Sequence, residues 1–400
     1  MPKKKDMGKL YNFSFVPGSD SELILAYVRV EKKKVAFCAA GTFDLDTKRV
    51  FWYDEVPGYC MNEAVVSPDK SKVAFTVHKR GDTSFVHQLG IMDIDGGNRE
   101  ILTESELYKG QLSFSPSGKK IVYTTSKAYQ RVGRKQYIEG YDLFEYDFER
   151  KKEERLSDFA IYQLVQPLYY MDDDHIIFSM YGGVTEFSDK SLNATKKDPS
   201  LSCTGEKFKK HLKKKVTHFY DGGFMASYDT IDSLIFICDL RPGGDVTLLF
   251  DPKEYNGMEL GDSGLKFGTR KGHANVYTMG LSEKRNVYFF VETGNWKKRP
   301  DNKGAYNILL YDKQTGEMRM IVNLVEEVYP LEVMRDYLYC SPAGMSISAN
   351  NGRMLLEGLC TRKSNRSNRH LYFLRDMQSG KTEHFDLVGY LYQASLRSGE

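Results

Sequence analysis

Short runs in which apolar and polar residues alternate, separated by polar turns, are the dominant pattern of this chain. Alternation with a period of two puts one side of a strand on the core and the other on solvent, so it predicts β-strands. Residues 62–67 form such a strand, and the turn 67–70 leads into a second strand over 72–77. A third strand over 85–93 and a fourth over 99–102 complete one unit.

The unit recurs, and each copy has a strand that ends in an aspartate before a polar turn. The six aspartates are Asp44, Asp93, Asp147, Asp239, Asp312 and Asp376. Four antiparallel strands joined by short turns, repeated along a chain, are typical of propeller blades. We therefore predict an all-β fold, a six-bladed β-propeller of four-stranded antiparallel blades.

The copies within residues 61–160 share a more specific motif. Ser67-Pro68-Asp69 and Ser115-Pro116-Ser117-Gly118-Lys119 each precede an aliphatic and aromatic strand, and Met92-Asp93-Ile94-Asp95-Gly96-Gly97 ends the third strand of its copy. This arrangement resembles the repeat of TolB-like, WD40-like propellers, which is shared with prolyl oligopeptidases and tricorn-type proteases. The resemblance implies a single six-bladed propeller domain with a central channel.

The predicted blades cover residues 8–56, 60–105, 110–158, 163–252, 274–325 and 343–388. Asp147 and Asp239 are 92 residues apart, which places a basic insertion at 184–232 in blade four. Within it, Phe208, Leu212 and Val216 are four residues apart, a spacing that favours a short basic helix. Residues 389–400 match the pattern of an innermost strand and are predicted to close the ring.

Composition narrows the class of protein. The chain has 27 Tyr and 23 Phe, which favours strands over helices, and its net charge of +3 does not favour a nucleic-acid partner. Six scattered cysteines without a paired motif suggest free thiols in a reducing compartment. We therefore expect a cytoplasmic monomer without a transmembrane segment, or a periplasmic or secreted one if a leader was removed.

The predicted loops between the second and third strands are rich in basic residues. These loops share one rim of a propeller, so they could attract an anionic ligand, although the neighbouring crossovers carry acidic residues such as Glu104, Glu326 and Glu327. The candidate rim residues are Arg131, Arg134, Lys135, Lys297, Lys298, Arg299, Arg362 and Arg366.

Polar residues at the entry to the innermost strands form a second candidate site. In a propeller they would surround the channel mouth, where they could bind a small polar ligand or satisfy crossover backbone groups. They are Asn62, Gln111, Gln166, His273, Asn275 and Gln393. His78 and His87 are interpreted as flanking a peripheral loop, and a lone His273 does not predict a metal site.

No catalytic residue, metal site or cofactor is predicted. The tetrapeptide 261–264 resembles a serine-protease nucleophile segment, but the flanking residues do not, and no nucleophile elbow is present. Residues 172–175, three aspartates and a histidine, could hold a metal, but their place between two strands favours a solvated turn.

The favoured function is a non-catalytic scaffold that binds a protein segment or an acidic glycan. With its degenerate copies included, the repeat covers most of the chain, and the polar rim suits contact with a partner. Two alternatives stay open: a carbohydrate-active enzyme on an acidic oligosaccharide, using His273 and rim arginines, and the propeller domain of a larger peptidase.

Overall fold

A computed structural model describes the chain over a set of separate ranges. These are residues 8–32, 34–82, 85–132, 135–157, 164–181, 183–185, 203, 214–216, 233–241, 244–250, 275–293, 305–323, 333 and 335–398. Within some strands, including residues 127–132, 135–140, 164–167 and 275, it describes the backbone alone.

The first half of the chain forms three four-stranded sheets. Sheet one consists of β1 (Lys9–Phe15), β2 (Glu22–Glu31), β3 (Lys34–Asp44) and β4 (Val50–Trp52). Sheet two consists of β5 (Tyr59–Val66), β6 (Lys72–Lys79), β7 (Gln88–Asp93) and β8 (Glu100–Ile101). Sheet three consists of β9 (Tyr108–Phe114), β10 (Lys120–Val132), β11 (Lys135–Asp147) and β12 (Lys152–Arg155).

The second half forms three further four-stranded sheets, a short parallel pair and a helix. Sheet four consists of β13 (Leu164–Asp172), β14 (His175–Tyr181), β17 (Ser233–Asp239) and β18 (Val246–Phe250), and β15 (Gly183–Thr185) pairs with β16 (Lys214–Val216). Sheet five consists of β19 (Asn275–Leu281), β20 (Val287–Thr293), β21 (Ala305–Tyr311) and β22 (Met318–Asn323). Sheet six consists of β23 (Tyr337–Ile347), β24 (Arg353–Arg362), β25 (Asn368–Asp376) and β26 (Thr382–Phe385), and helix α1 (Leu387–Arg397) follows.

The six sheets are the blades of a six-bladed β-propeller, as the repeat predicted. The chain divides into two compact units, one of residues 1–121, 282–284 and 330–400 and the other of 122–281 and 285–329. The first unit contains a core of sheets one and six, with Leu25 and Leu355 fully buried. The second contains an apolar core that includes Phe178 and Phe236 of sheet four.

The predicted ring-closing strand over residues 389–400 is wrong. Residues Leu387–Arg397 form α1, whose buried Leu387 and Leu391 pack into the core of sheets one and six. β1 already occupies the first-strand position of sheet one. A further strand is therefore not needed there, and the spacing of the buried leucines is that of a helix face.

The predicted helix in the insertion is also not supported where the structure describes it. Residues Lys214–Val216 are a strand, paired in parallel with Gly183–Thr185. Residues 206–213 lie outside the described residues. The apolar spacing that ends at Val216 was the only argument for a helix there, and it does not exclude strand pairing.

The expectation of free thiols is wrong as well, because all six cysteines are paired. The bonds are Cys38–Cys60, Cys203–Cys238 and Cys340–Cys360. Cys38–Cys60 joins the third strand of sheet one to the first strand of sheet two, with 5.2 Å between the Cα atoms. The partners come together only in the folded sheets, and the argument for a reducing compartment disappears with the free thiols.

Among the described residues, no helix has the length and apolar content needed to cross a membrane.

Candidate functional site

The first strand of sheet two contains a bulge at Asn62. Met61 pairs with Val77 and Glu63 with Thr76, so Asn62 is an extra residue in the ladder. A bulge bends the strand and changes the direction of its side chains, and bulges are frequent beside functional sites. Asn62 is buried, near the end of sheet two from which the loop between β6 and β7 leaves.

Two histidines converge on the Asn62 amide from the strands on either side of that loop. Asn62 Nδ2 lies 2.8 Å from His78 Nδ1 and 3.4 Å from His87 Nε2. The two imidazole rings are 5.6 Å apart between centroids. His78 is in β6 and His87 directly precedes β7, so one hairpin brings both rings together.

The hydrogen bonds of His87 decide which atoms donate in this group. His87 Nδ1 lies 2.9 Å from the carbonyl oxygen of Lys109, which can only accept. Burial lowers the pKa of His87 to about 4 and also lowers the pKa of His78, so both rings are neutral near pH 7. A neutral His87 that donates through Nδ1 accepts at Nε2, and the Asn62 amide is therefore the donor.

This assignment leaves the other end of the Asn62 amide without a partner. Asn62 Oδ1 is buried and accepts no hydrogen bond from any residue that the structure describes. Buried polar atoms nearly always have a protein, water or ligand partner. Asn62 Oδ1 is therefore a buried acceptor for which the described residues supply no donor, so a bound water or a ligand would have to supply one.

Two residues of β9 close one side of the group. The Lys109 side chain is fully buried, and its ammonium donates to Ser105 Oγ and, at 3.4 Å, to the carbonyl oxygen of His87. The Tyr108 ring is half-buried, with its centroid 4.8 Å from that of the His87 ring. Sheets two and three thus contribute charged, polar and aromatic groups to one place.

Glu63, next to the bulge, links the first strand of sheet two to the first strand of sheet three through hydrogen bonds. Its Oε2 accepts from the backbone N–H groups of Gln111, at 2.5 Å, and Leu112, at 3.3 Å. Burial raises the pKa of Glu63 to about 7 and outweighs the opposite effect of the two N–H donors. Glu63 is therefore partly protonated near neutral pH.

The backbone of β9 is adapted to this contact. A Cβ at Gly110 would lie 2.5 Å from Tyr108 Oη and 2.9 Å from Glu63 Oε1, so a larger residue there would displace the ends of both side chains. Gln111 has a φ of +60°, which is uncommon for a residue with a side chain. Its buried Oε1 has no hydrogen-bond partner among the described residues.

We call these residues the Asn62 cluster. It consists of Asn62, Glu63, His78, His87, Tyr108, Lys109 and Gln111.

Two of the predicted channel-mouth residues are in this cluster: Asn62 through its side chain, and Gln111 through its backbone N–H, which donates to Glu63 Oε2. Gln166 and Asn275 lie in β13 and β19, where only their backbone is described, and His273 lies outside the described residues. Gln393 was predicted on a strand, but it is an exposed residue of helix α1. A shared role for these residues stays a prediction.

The structure describes few side chains of the predicted basic rim. Arg131 and Lys135 lie in β10 and β11 with the backbone alone described, and Arg134, Lys297, Lys298 and Arg299 lie outside the described residues. Arg362 is half-buried, with its guanidinium 6.0 Å from the Tyr337 ring centroid. Arg366 is exposed and follows a turn. The rim stays a prediction.

Sequence reasoning missed Glu63, His78, His87, Tyr108 and Lys109. The sequence contains a partial signal for the two histidines, because it places both beside the loop between the second and third predicted strands. The register that brings them together, in which Val77 pairs with Gln88, is known only from the structure. Nothing in the sequence distinguishes Lys109 from the many exposed lysines, and its burial depends on the neighbouring sheet.

The described residues contain no group of three potential metal ligands. At the turn 172–175, Asp172 Oδ1 lies 2.7 Å from His175 Nδ1 and its Oδ2 accepts from Lys313 Nζ at 2.6 Å.

No family model and no curated protein sequence matches the chain. Solved structures do match it. TolB from Acinetobacter baumannii has a TM-score of 0.50 at 14% identity, covering 92% of this chain and 64% of its own. Oligogalacturonate lyase from Vibrio parahaemolyticus has a TM-score of 0.51 at 11% identity, covering 94% and 77%. The propeller domain of the Trilobed protease from Pyrococcus furiosus has a TM-score of 0.42 at 10% identity, covering 93% and 95%.

The chain therefore has a TolB-like six-bladed propeller fold, as its repeat motif indicated. It spans only 64% of the length of the TolB chain. At these identities the likeness concerns the fold and not the activity.

Proposed function

We propose that this protein is a non-catalytic glycan-binding module and that the Asn62 cluster is its binding site. The observation that carries the proposal is the buried Asn62 Oδ1, which has no hydrogen-bond partner in the described part of the chain. The rest of the Asn62 amide is held by two imidazoles, so this acceptor is fixed in place. A fixed polar group beside an aromatic ring is typical of ligand sites.

Two further features support the proposal. The cluster lies where the loop between β6 and β7 leaves sheet two, and binding residues are common on loops held by a rigid scaffold. One structural neighbour, the Vibrio parahaemolyticus enzyme, is an oligogalacturonate lyase, so a propeller of this fold can act on a glycan. Binding of a protein segment instead of a glycan is the alternative result of the binding experiment.

A glycan array and a peptide array, each followed by titration calorimetry, test the proposal. Asn62→Ala removes the free acceptor and both imidazole contacts, and we expect binding to weaken at least about 10-fold. Asn12→Ala is the matched control, because Asn12 is also on a first strand but uses both amide ends, at 3.0 and 3.3 Å, to bind the backbone of Ala64. It should lose stability and keep its affinity.

Three results would contradict the proposal. The site is wrong if Asn62→Ala binds normally while replacement of Arg131, Arg134, Lys297 and Arg299 by alanine abolishes binding. The ligand class is wrong if only peptides bind. The non-catalytic assignment is wrong if an oligosaccharide is cleaved in the same mixture.

A further inference from the structure

Resting on the proposed function, we infer that the Asn62 cluster binds an uncharged, hydroxyl-bearing sugar unit rather than an acidic one. A neutral sugar differs from the protein segment or acidic glycan that the basic loops suggested. It depends on which hydrogen-bonding groups of the cluster are free and which are already used.

The partnerless groups are acceptors. Asn62 Oδ1 and Gln111 Oε1 are both buried and accept no hydrogen bond from the described residues. An acceptor needs an O–H or N–H donor. The hydroxyl groups of a sugar supply such donors, whereas an ionised carboxylate has none and would be repelled by a carbonyl oxygen.

The donors that an acidic sugar would need are held by the protein. His87 Nδ1 donates to the carbonyl oxygen of Lys109, and Asn62 Nδ2 faces both imidazoles. The enclosed ammonium of Lys109 donates to Ser105 Oγ and the carbonyl oxygen of His87. An anion would have to displace these bonds, and each broken bond leaves a buried group unpaired.

The charges of the cluster do not form a free binding site for an anion. The Lys109 ammonium would attract a carboxylate, but it is enclosed and donates to Ser105 Oγ and the carbonyl oxygen of His87, and the partly ionised Glu63 would repel a carboxylate. An uncharged ligand does not need a free cation. The half-buried Tyr108 ring, 4.8 Å from the ring of His87, adds an apolar surface of the kind that the C–H face of a sugar can cover.

Titration calorimetry with tetrasaccharides tests this inference on the full chain. Cellotetraose and maltotetraose are the neutral probes and tetragalacturonate is the acidic probe. Wild type should bind at least one neutral probe and bind tetragalacturonate at least about 10-fold more weakly.

Gln111→Gly is the informative variant. It removes the free Oε1, and glycine is favoured at a φ of +60°, so the variant should fold at least as well as wild type. Its affinity for the neutral probe should fall about 5-fold. Asn351→Gly is the matched control, because Asn351 also has a positive φ of 56° and a buried amide oxygen without a partner, but lies in the turn between β23 and β24.

Several outcomes overturn the inference. Binding of tetragalacturonate alone, reduced in Gln111→Gly, would leave the proposed binding site standing and refute the neutral class. Binding of neither kind of probe, or neutral binding that Gln111→Gly leaves unchanged or Asn351→Gly weakens equally, would also refute it. Failure of the proposed function is recognised separately, because Asn62→Ala would then leave every binding event unaffected.

Discussion

At the scale of single residues, the repeated aspartates are structural. Asp44 Oδ1 accepts from the backbone N–H groups of Asp46 and Thr47, and these bonds lower its pKa. The aspartates at the corresponding positions do the same: Asp147, Asp239, Asp312 and Asp376 each accept from a backbone N–H two residues on. Asp93 instead binds the side chains of Lys72 and Asn98. A side chain that bonds its own turn explains why aspartate recurs there.

Glu63 differs from these aspartates because its carboxylate is buried between two sheets. Its ordinary pKa of 4.5 is raised to about 7, so folding favours the protonated form. The corresponding contribution to stability is fully present below pH 4.5 and is lost as the pH rises through about 7.

Glu63→Gln tests this assignment. The amide stays uncharged at every pH and keeps an oxygen that can accept from the N–H of Gln111. Between pH 5 and pH 8 the unfolding free energy of wild type should therefore fall relative to that of the variant, by about 2 kcal/mol. Urea unfolding at each pH measures the difference, and parallel pH profiles would show that Glu63 is ionised in the fold.

At the scale of elements, α1 shows how a short apolar run can be misassigned. Residues 390–396 contain enough aromatic and apolar residues for a strand, and the run is too short for its period to decide. In the structure Leu387, Leu391 and Ser395 are buried at intervals of four, while Tyr390 and Leu396 are about 40% exposed. Packing against sheets one and six therefore selects the helix.

Leu391→Ala should destabilise the protein by about 3 kcal/mol, because the side chain is fully buried in the core of sheets one and six. Leu396→Ala is the matched control on the same helix, and at 41% exposure it should cost less than about 1 kcal/mol. Denaturant unfolding gives both values. Equal effects of the two substitutions would contradict the orientation of α1.

At the scale of the whole molecule, one disulfide joins two different blades and the other two each lie within a single blade, its insertion included. Cys38–Cys60 joins sheet one to sheet two, and Cys340–Cys360 joins directly opposite residues of β23 and β24. Cys203, in the insertion, is bound to Cys238 in the third strand of sheet four. These bonds lie within units that already have apolar cores, so they reinforce the fold.

Thiol titration of the oxidised protein in denaturant should find none of the six cysteines free. Replacing Cys38 and Cys60 together by alanine should lower the unfolding free energy by about 3 kcal/mol, since the bond closes a loop with a sequence separation of 22. The unfolding free energy measured again with reductant is the control. Reductant should lower it less in the double variant than in wild type, because the variant already lacks one of the three bonds. Titration of six thiols without reductant would contradict the pairing.

The repeat, the strands and the six-bladed class could all be predicted from the sequence. Strand alternation and turns such as Ser67–Lys72 and Ser115–Lys120 depend on neighbours along the chain, where the serine hydroxyl accepts from an N–H five residues on. The same pattern selected Asn62 and Gln111, because it placed them on first strands. It could not show what their side chains meet.

The remaining features follow from tertiary packing. They depend on residues from different strands or sheets. Examples are the contact of His87 with Lys109, the pairing of the cysteines, and the packing of the helix Leu387–Arg397 against sheets one and six. Such contacts depend on the register and packing of whole sheets, which a local pattern does not encode. For the same reason the free acceptor of Asn62, on which the proposed function rests, becomes visible only once its neighbours are in place.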